Sequence, residues 1–144
     1  KKLTCSQDDD FRNIILPKLA DSNVKGVIFA SPVYFGGVTS QMKAFMDRSV
    51  PLRRNGFLWE DVVSGALAVG RSRNGGQELT VFDIIKNSLI HGMIVVPDSS
   101  PTAHFGGTLW SGHAEGVEND EHGIKTAVNL GKKIAQIVKK LGVN

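Results

Sequence analysis

Residues 24–48 constrain this chain more than any other stretch. The run Val24-Lys25-Gly26-Val27-Ile28-Phe29-Ala30 is short and β-branched enough to read as a buried strand. Ser31-Pro32-Val33-Tyr34-Phe35-Gly36-Gly37 follows as a loop, and from Gln41 to Arg48 apolar residues recur at helical spacing. A strand, a loop with proline, aromatics and paired glycines, then a helix is the layout of an α/β ligand loop. In open α/β sheets, ligands bind in the crevice beyond the carboxyl ends of the strands.

The pattern repeats. Ser64–Gly70 reads as a second buried strand, Arg71–Gly76 as a glycine-bearing loop, and Gln77–His91 as a helix with Leu79, Phe82, Ile85 and Leu89 inward. Met93–Val96 reads as a third strand. Asp8–Leu19 is predicted helical, with an apolar stripe of Phe11, Ile14, Ile15 and Leu19 and with Pro17 placed to kink or end it. Residues 51–61 form a connection and 97–122 a long irregular segment. Gly123–Leu141 reads as an amphipathic helix with Ile124, Ala127, Val128, Gly131, Ile134, Ala135, Val138 and Leu141 on one side.

Strands alternating with helices predict a single α/β domain over residues 1–144, a doubly wound parallel sheet with right-handed crossovers. Three strands are few for such a sheet. No strand precedes the first helix, and neither GxGxxG nor GxxxxGK[ST] occurs. The expectation is therefore that about sixty residues, carrying the first strands and a phosphate cradle, precede Lys1.

Composition narrows the classes. No run approaches the length of a membrane span. A single cysteine rules out an internal disulfide and suits a reducing cytoplasm. Net charge is +3, and the 17 basic residues are spread along the chain, which argues against a nucleic-acid face.

Two loops carry the candidate chemistry. In the first, Pro32 stiffens the strand exit, Gly36 and Gly37 allow close backbone approach, and Tyr34 and Phe35 offer a stacking surface. An ordinary core-plugging turn is the alternative. In the second, Gly75 and Gly76 expose amides at a helix N-terminus, which favours an electron-rich edge. A solvated turn is the alternative there. His91 ends a helix, where it either favours the dipole or approaches a cofactor. His104, His113 and His122 show no metal-site spacing, and no Ser-His-Asp pattern or GxSxG is legible. Phe105 and Trp110 either fold over a cofactor or pack on a neighbouring subunit.

SPVYFGGVTSQMKAFMDR, GGQE and HGMIVVP, in that order, resemble the flavodoxin-like NADPH-dependent FMN reductase superfamily. The nearest branch is the iron–sulfur flavoproteins, with quinone reductases of the tryptophan-repressor-binding-protein type as cousins. The resemblance spans Asp8 to the terminal helix. It implies a flavodoxin-like fold with FMN, rather than FAD, at the strand ends. Pro32, Val33, Tyr34, Phe35 and Gly36 would border the flavin ring, and Arg71, Asn74, Gly75, Gly76 and Gln77 would approach it from the second loop.

The resemblance also implies that His91 can come near the flavin, often across a subunit interface. The flavin carries the redox chemistry, so no side chain need act as acid or base. NAD(P)H or a ferredoxin-type donor would supply electrons, and a quinone or other small acceptor would take them. A pure flavodoxin-like electron carrier, and a flavin-free interaction module, stay open beside the enzyme. A homodimer or homotetramer is expected, with residues 97–122 contributing. Cys5, before Asp8-Asp9-Asp10, resembles the last cysteine of a 4Fe-4S motif. Four thiolates normally hold such a cluster, and an ordinary free thiol is the alternative.

Overall fold

The computed structural model describes residues 3–112, 114 and 116–142. A π-helical turn, Phe11–Ile15, runs into α1, Leu16–Leu19. Then come β1 (Gly26–Pro32), α2 (Ser40–Arg48), α3 (Val50–Arg54), β2 (Val63–Gly70) and α4 (Gln77–Ile90). The chain continues through β3 (Ile94–Val95), β4 (Gly107–Trp110), a 3-10 turn (Val117–Asn119) and α5 (Glu121–Lys140). No helix among the described residues is long and apolar enough to cross a membrane.

The sheet is parallel throughout. β1 runs beside β2 over its full length, from Gly26 opposite Val63 to Pro32 opposite Val69. The other edge of β2 is covered by two short strands in succession. β3 meets Val63–Ser64, and β4 meets Leu67–Gly70. Together they act as one split strand, interrupted by residues 96–106. The expected third strand is thus present but shorter, and the irregular segment contains a fourth. The free edge of β1 has no strand beside it among the described residues, and Ile28 is exposed.

β2 is the buried centre, and its alternation divides the core. Ala66 and Ala68 face Phe11, Leu16, Leu52, Trp59, Val81 and Ile84. Val63 and Leu67 face α5 through Leu130 and Ile134. Gly65 permits that approach, because a Cβ there would lie 2.6 Å from Leu130 Cδ1.

Three expected faces are corrected. Pro17 lacks an N–H and crowds the preceding turn. The chain accommodates it with a π turn just before, in which the Leu16 N–H donates to Phe11 O. The extra residue rotates the stripe, so Phe11 and Leu16 are buried while Ile14 and Ile15 are exposed. On α4 the inward residues are Thr80, Val81, Ile84 and Ser88, and Leu79, Phe82 and Leu89 face out. Both faces of this helix are apolar, so periodicity alone could not choose between them. On α5 the buried line is Gly123, Thr126, Leu130 and Ile134, with Ile124, Val128 and Leu141 exposed. Asp120 caps this helix by accepting the Gly123 N–H at 3.1 Å, and the Thr108 N–H donates to Thr126 Oγ1 at 3.0 Å. The first turns of α5 therefore pack on β4 through polar groups.

Candidate functional site

Both expected loops leave the carboxyl ends of neighbouring parallel strands. In the first, pairing with β2 continues past Pro32, where the Val33 N–H donates to Val69 O at 2.9 Å. Tyr34 and Gly37 then exchange two backbone hydrogen bonds, 3.0 and 3.2 Å long, around Phe35-Gly36. Phe35 has φ +52° and Gly36 φ +77°. Positive φ at both central residues defines a type I′ turn, in which asparagine or glycine is usual at the first position and phenylalanine is strained. That strain holds two large aromatics in solvent: Tyr34 is 65% exposed and Phe35 fully exposed. They do not plug the core. Behind the turn, buried Ser31 accepts the Thr39 N–H at 3.2 Å, and Thr39 caps α2 by accepting the Met42 N–H at 3.1 Å.

In the second loop, Asn74 takes φ +58° and Gly76 φ +109°. The two loops meet at glycine. A Cβ on Gly76 would lie 2.8 Å from Gly36 Cα and 3.3 Å from Val33 Cγ1. The structure therefore brings Val33–Gly36 and Gly76 together as a continuous floor. Gly76 serves first as a backbone contact between loops.

Gln77 is buried and folds back on its own loop. Its Nε2 donates to Ser72 O at 2.8 Å, and its Oε1 accepts the Gly75 N–H at 2.9 Å. Its amide is committed to the loop rather than offered to a ligand, a correction to its expected role. Arg71 and Asn74 are exposed on the same loop. Arg73 lies over the Trp110 ring, its guanidinium carbon 4.4 Å from the centroid. A cavity of about 630 Å³ opens beside this loop, lined by Asn74, Gly76, Leu79, Phe82, Trp110 and His122 among others. None of Pro32–Gly36 lines it, so it adjoins the crevice from the β4 side.

Sequence reasoning missed two supporting residues. Gly70 ends β2 because a Cβ there would lie 2.5 Å from Gln77 Nε2. Trp110, expected either to fold over a cofactor or to pack on a neighbouring subunit, donates its indole N–H to Arg71 O at 2.6 Å. A glycine closing a strand just ahead of the glycine-bearing loop was the signal available for the first. Pairing of residues about forty apart left none for the second.

His91 is elsewhere. It caps the C-terminal end of α4, 15 residues from Gly76 and so about 22 Å away by helical rise. It is buried against the edge of Trp59, ring centroids 4.9 Å apart. Ser49 Oγ donates to Met46 O at 2.6 Å, which leaves it to accept from His91 Nε2 at 2.8 Å. Burial, and then the charge of Arg53, push its pKa below the ordinary histidine value. Within this chain His91 stands at the end of α4 and its side chain does not reach the crevice.

Cys5 lies at the far end of α2. The Arg48 Nε–H points to its sulfur at 3.3 Å, while the guanidinium grips Asp9 with two bonds of 2.7 and 2.8 Å. The Gln7 backbone N–H, and then Arg48, lower the thiol pKa. One thiolate does not fit a 4Fe-4S cluster. Among the described residues no three His, Cys, Asp or Glu side chains group as metal ligands. His104 donates its backbone N–H to buried Asp98 at 2.5 Å, and its ring stands edge-on to His122. His113 lies outside the described residues.

The site thus offers a strained aromatic turn, a glycine floor and an amide-bearing loop over two strand ends. This arrangement fits a planar ring with an electron-rich edge, as the ring system of a flavin has.

The profile of the NADPH-dependent FMN reductase family matches residues 1–107. An iron-sulfur flavoprotein of Methanocaldococcus jannaschii is 56% identical over 126 residues, covering 87% of this chain and 63% of that protein. One of Methanosarcina thermophila is 42% identical over 140 residues, covering 97% of this chain and 68% of that protein. An NAD(P)H dehydrogenase (quinone) of Archaeoglobus fulgidus is 30% identical over 121 residues, covering 80% of this chain and 60% of that protein. This chain therefore spans about two thirds, or slightly less, of the curated relatives it matches. The crystal structure of the flavodoxin, WrbA-like protein from Agrobacterium tumefaciens aligns with a TM-score of 0.68 at 24% identity, over 81% of this chain and 67% of that one. The fold is flavodoxin-like.

Proposed function

The chain belongs to the NADPH-dependent FMN reductase family, and from that premise we propose that it is the FMN-binding part of an oxidoreductase. The observation that carries this is the contact of Gly36 with Gly76 beneath two solvent-held aromatics. When bound, FMN would supply hydride and electron transfer. Pro32–Gly36 would flank the ring from one side. Arg71 and Asn74–Gly76 would line its other edge, with Gln77 holding that loop from within. Tyr34 and Phe35 would shield the ring from water. No proton moves through a side chain of this site in the proposed role.

NAD(P)H as donor and a quinone as acceptor are the partners this reading favours, since relatives include both an iron-sulfur flavoprotein and an NAD(P)H dehydrogenase (quinone). The single thiol suits a reducing, cytoplasm-like compartment.

Self-association through α4 is part of the proposal. Leu79, Phe82, Leu89 and Ile90 form an exposed apolar stripe opposite the buried face of that helix. Asp83 and Lys86 lie at its middle. Antiparallel pairing of two α4 helices about a two-fold axis would set Leu79 against Ile90 and Asp83 against Lys86 of the second copy.

Steady-state oxidation of NADPH with a benzoquinone, in the presence of FMN, tests the enzymatic part. Turnover that requires FMN supports it. A flavin-loaded protein that oxidises neither NADPH nor NADH would be a carrier instead.

A further inference from the structure

We propose that Gln77 and Trp110 are positioning residues that turn loop 71–76 into a display of backbone N–H groups toward the crevice. The inference rests on the flavin reading above and deepens it.

Three successive carbonyls at the start of this loop are tied from within the protein. Gly70 O accepts the Ser111 N–H at 2.9 Å. Arg71 O accepts the Trp110 indole N–H at 2.6 Å. Ser72 O accepts Gln77 Nε2 at 2.8 Å and the Gly75 N–H at 3.1 Å. Two of these donors, Trp110 and Ser111, are adjacent at the end of β4, one is the first residue of α4, and one is Gly75 of the loop itself. The N–H groups of Arg73, Asn74 and Gly76 have no partner among the described residues.

The polarity of the loop follows from this count. A carbonyl engaged twice or held inward offers a ligand little, whereas an unpaired amide at a helix N-terminus offers a donor backed by the helix dipole. The carbonyls of Arg73, Asn74 and Gly75 are also unpaired among the described residues, so the donor character of the loop comes from the carbonyls tied back before them and from the helix N-terminus the loop leads into. Such an edge stabilises negative charge, so it favours the reduced, anionic form of a flavin over the oxidised form. Neither side chain needs to touch the ring to have this effect. Gln77 is nearly buried, and its amide is spent on Ser72 and Gly75. Gly70 is the enabling residue, because any Cβ would collide with the Gln77 amide.

Two variants separate positioning from mere stability. Trp110→Phe keeps an aromatic ring under Arg73 and removes only the indole donor. Gln77→Leu keeps the bulk and removes both amide contacts. FMN affinity is read by quenching of flavin fluorescence, the flavin midpoint potential by redox titration, and folding by thermal melting. We expect FMN dissociation constants raised about tenfold or more in both variants, and a lower midpoint potential, with the Trp110→Phe melting temperature near that of the parent. Dissociation constants within twofold of the parent and unchanged potentials would overturn the proposal. Should Gln77→Leu fail to fold, Trp110→Phe alone decides. A parent protein that binds no FMN would instead refute the flavin reading on which the proposal stands.

Discussion

The backbones of Gly36 and Gly76 touch, although forty residues separate them. A Cβ on Gly76 would stand 2.8 Å from Gly36 Cα, whereas a Cβ on Gly36 would meet nothing within 4 Å. The contact joins the loops that follow two adjacent strands, and its asymmetry makes a prediction. Gly76→Ala combines a left-handed backbone with a collision against main chain, and should cost about 2–4 kcal/mol. Gly36→Ala carries only the backbone strain, about 1–2 kcal/mol. Urea unfolding of the two variants measures the difference, and FMN affinity should fall more in Gly76→Ala. Equal losses in both would show that the loops do not need this contact.

His91 predicts an acid dependence of stability. Its folded pKa is depressed by burial and by Arg53. The unfolded histidine therefore binds a proton that the folded one refuses, and stability falls as pH drops below about 6.5. Above that value the contribution is complete. His91→Gln should flatten this part of the stability curve, and Arg53→Gln should shrink it, because removing that charge brings the folded pKa back toward the unfolded value while burial still holds it below. Melting temperatures from pH 5 to 8 provide the check. An unchanged slope in His91→Gln would remove the histidine as its source.

Cys5 should react as a more acidic thiol than a free cysteine, because the Gln7 amide and Arg48 favour its thiolate. Alkylation by iodoacetamide against pH should give a midpoint below that of a model thiol. Arg48→Gln should move the midpoint upward and also release Asp9. If the midpoint in Arg48→Gln matches the parent, the Arg48 contact is not formed in solution.

Much of the fold was legible because its signals are local. The apolar run of β2 and the glycine that opens α4 predicted those elements to within a residue. What was lost depended on partners distant in sequence. β3 has two residues and β4 four, too short for periodicity, and they become one strand position only through pairing with β2. The inward face of the first helix was misplaced because Pro17 calls for a π turn that shifts every later residue. In the site, Tyr34, Phe35 and Gly76 stand on the loops that leave β1 and β2, as the strand–loop–helix pattern predicted. Gln77 was placed correctly in space, but its role was not legible, since a buried amide and a ligand-facing amide look alike in sequence. Trp110 reaches Arg71 only through the parallel register of β4 with β2.

The exposed stripe on α4 predicts self-association. Leu89→Glu places a charge in the apolar stripe while leaving the buried face of α4 intact. Light scattering should show the parent as an oligomer at micromolar concentration and Leu89→Glu shifted toward monomer, with unchanged helix content by circular dichroism. A monomeric parent would rule this surface out.

The central claim is that these two loops hold FMN, and direct titration tests it. FMN fluorescence is followed while the purified full-length protein is added, and the bound flavin is quantified by its visible absorbance after gel filtration. The account predicts quenching that saturates at one FMN per chain, with yellow protein recovered from the column, and weaker quenching when Gly76 is replaced by alanine. Fluorescence that stays at the level of free FMN, with colourless protein recovered, would contradict it.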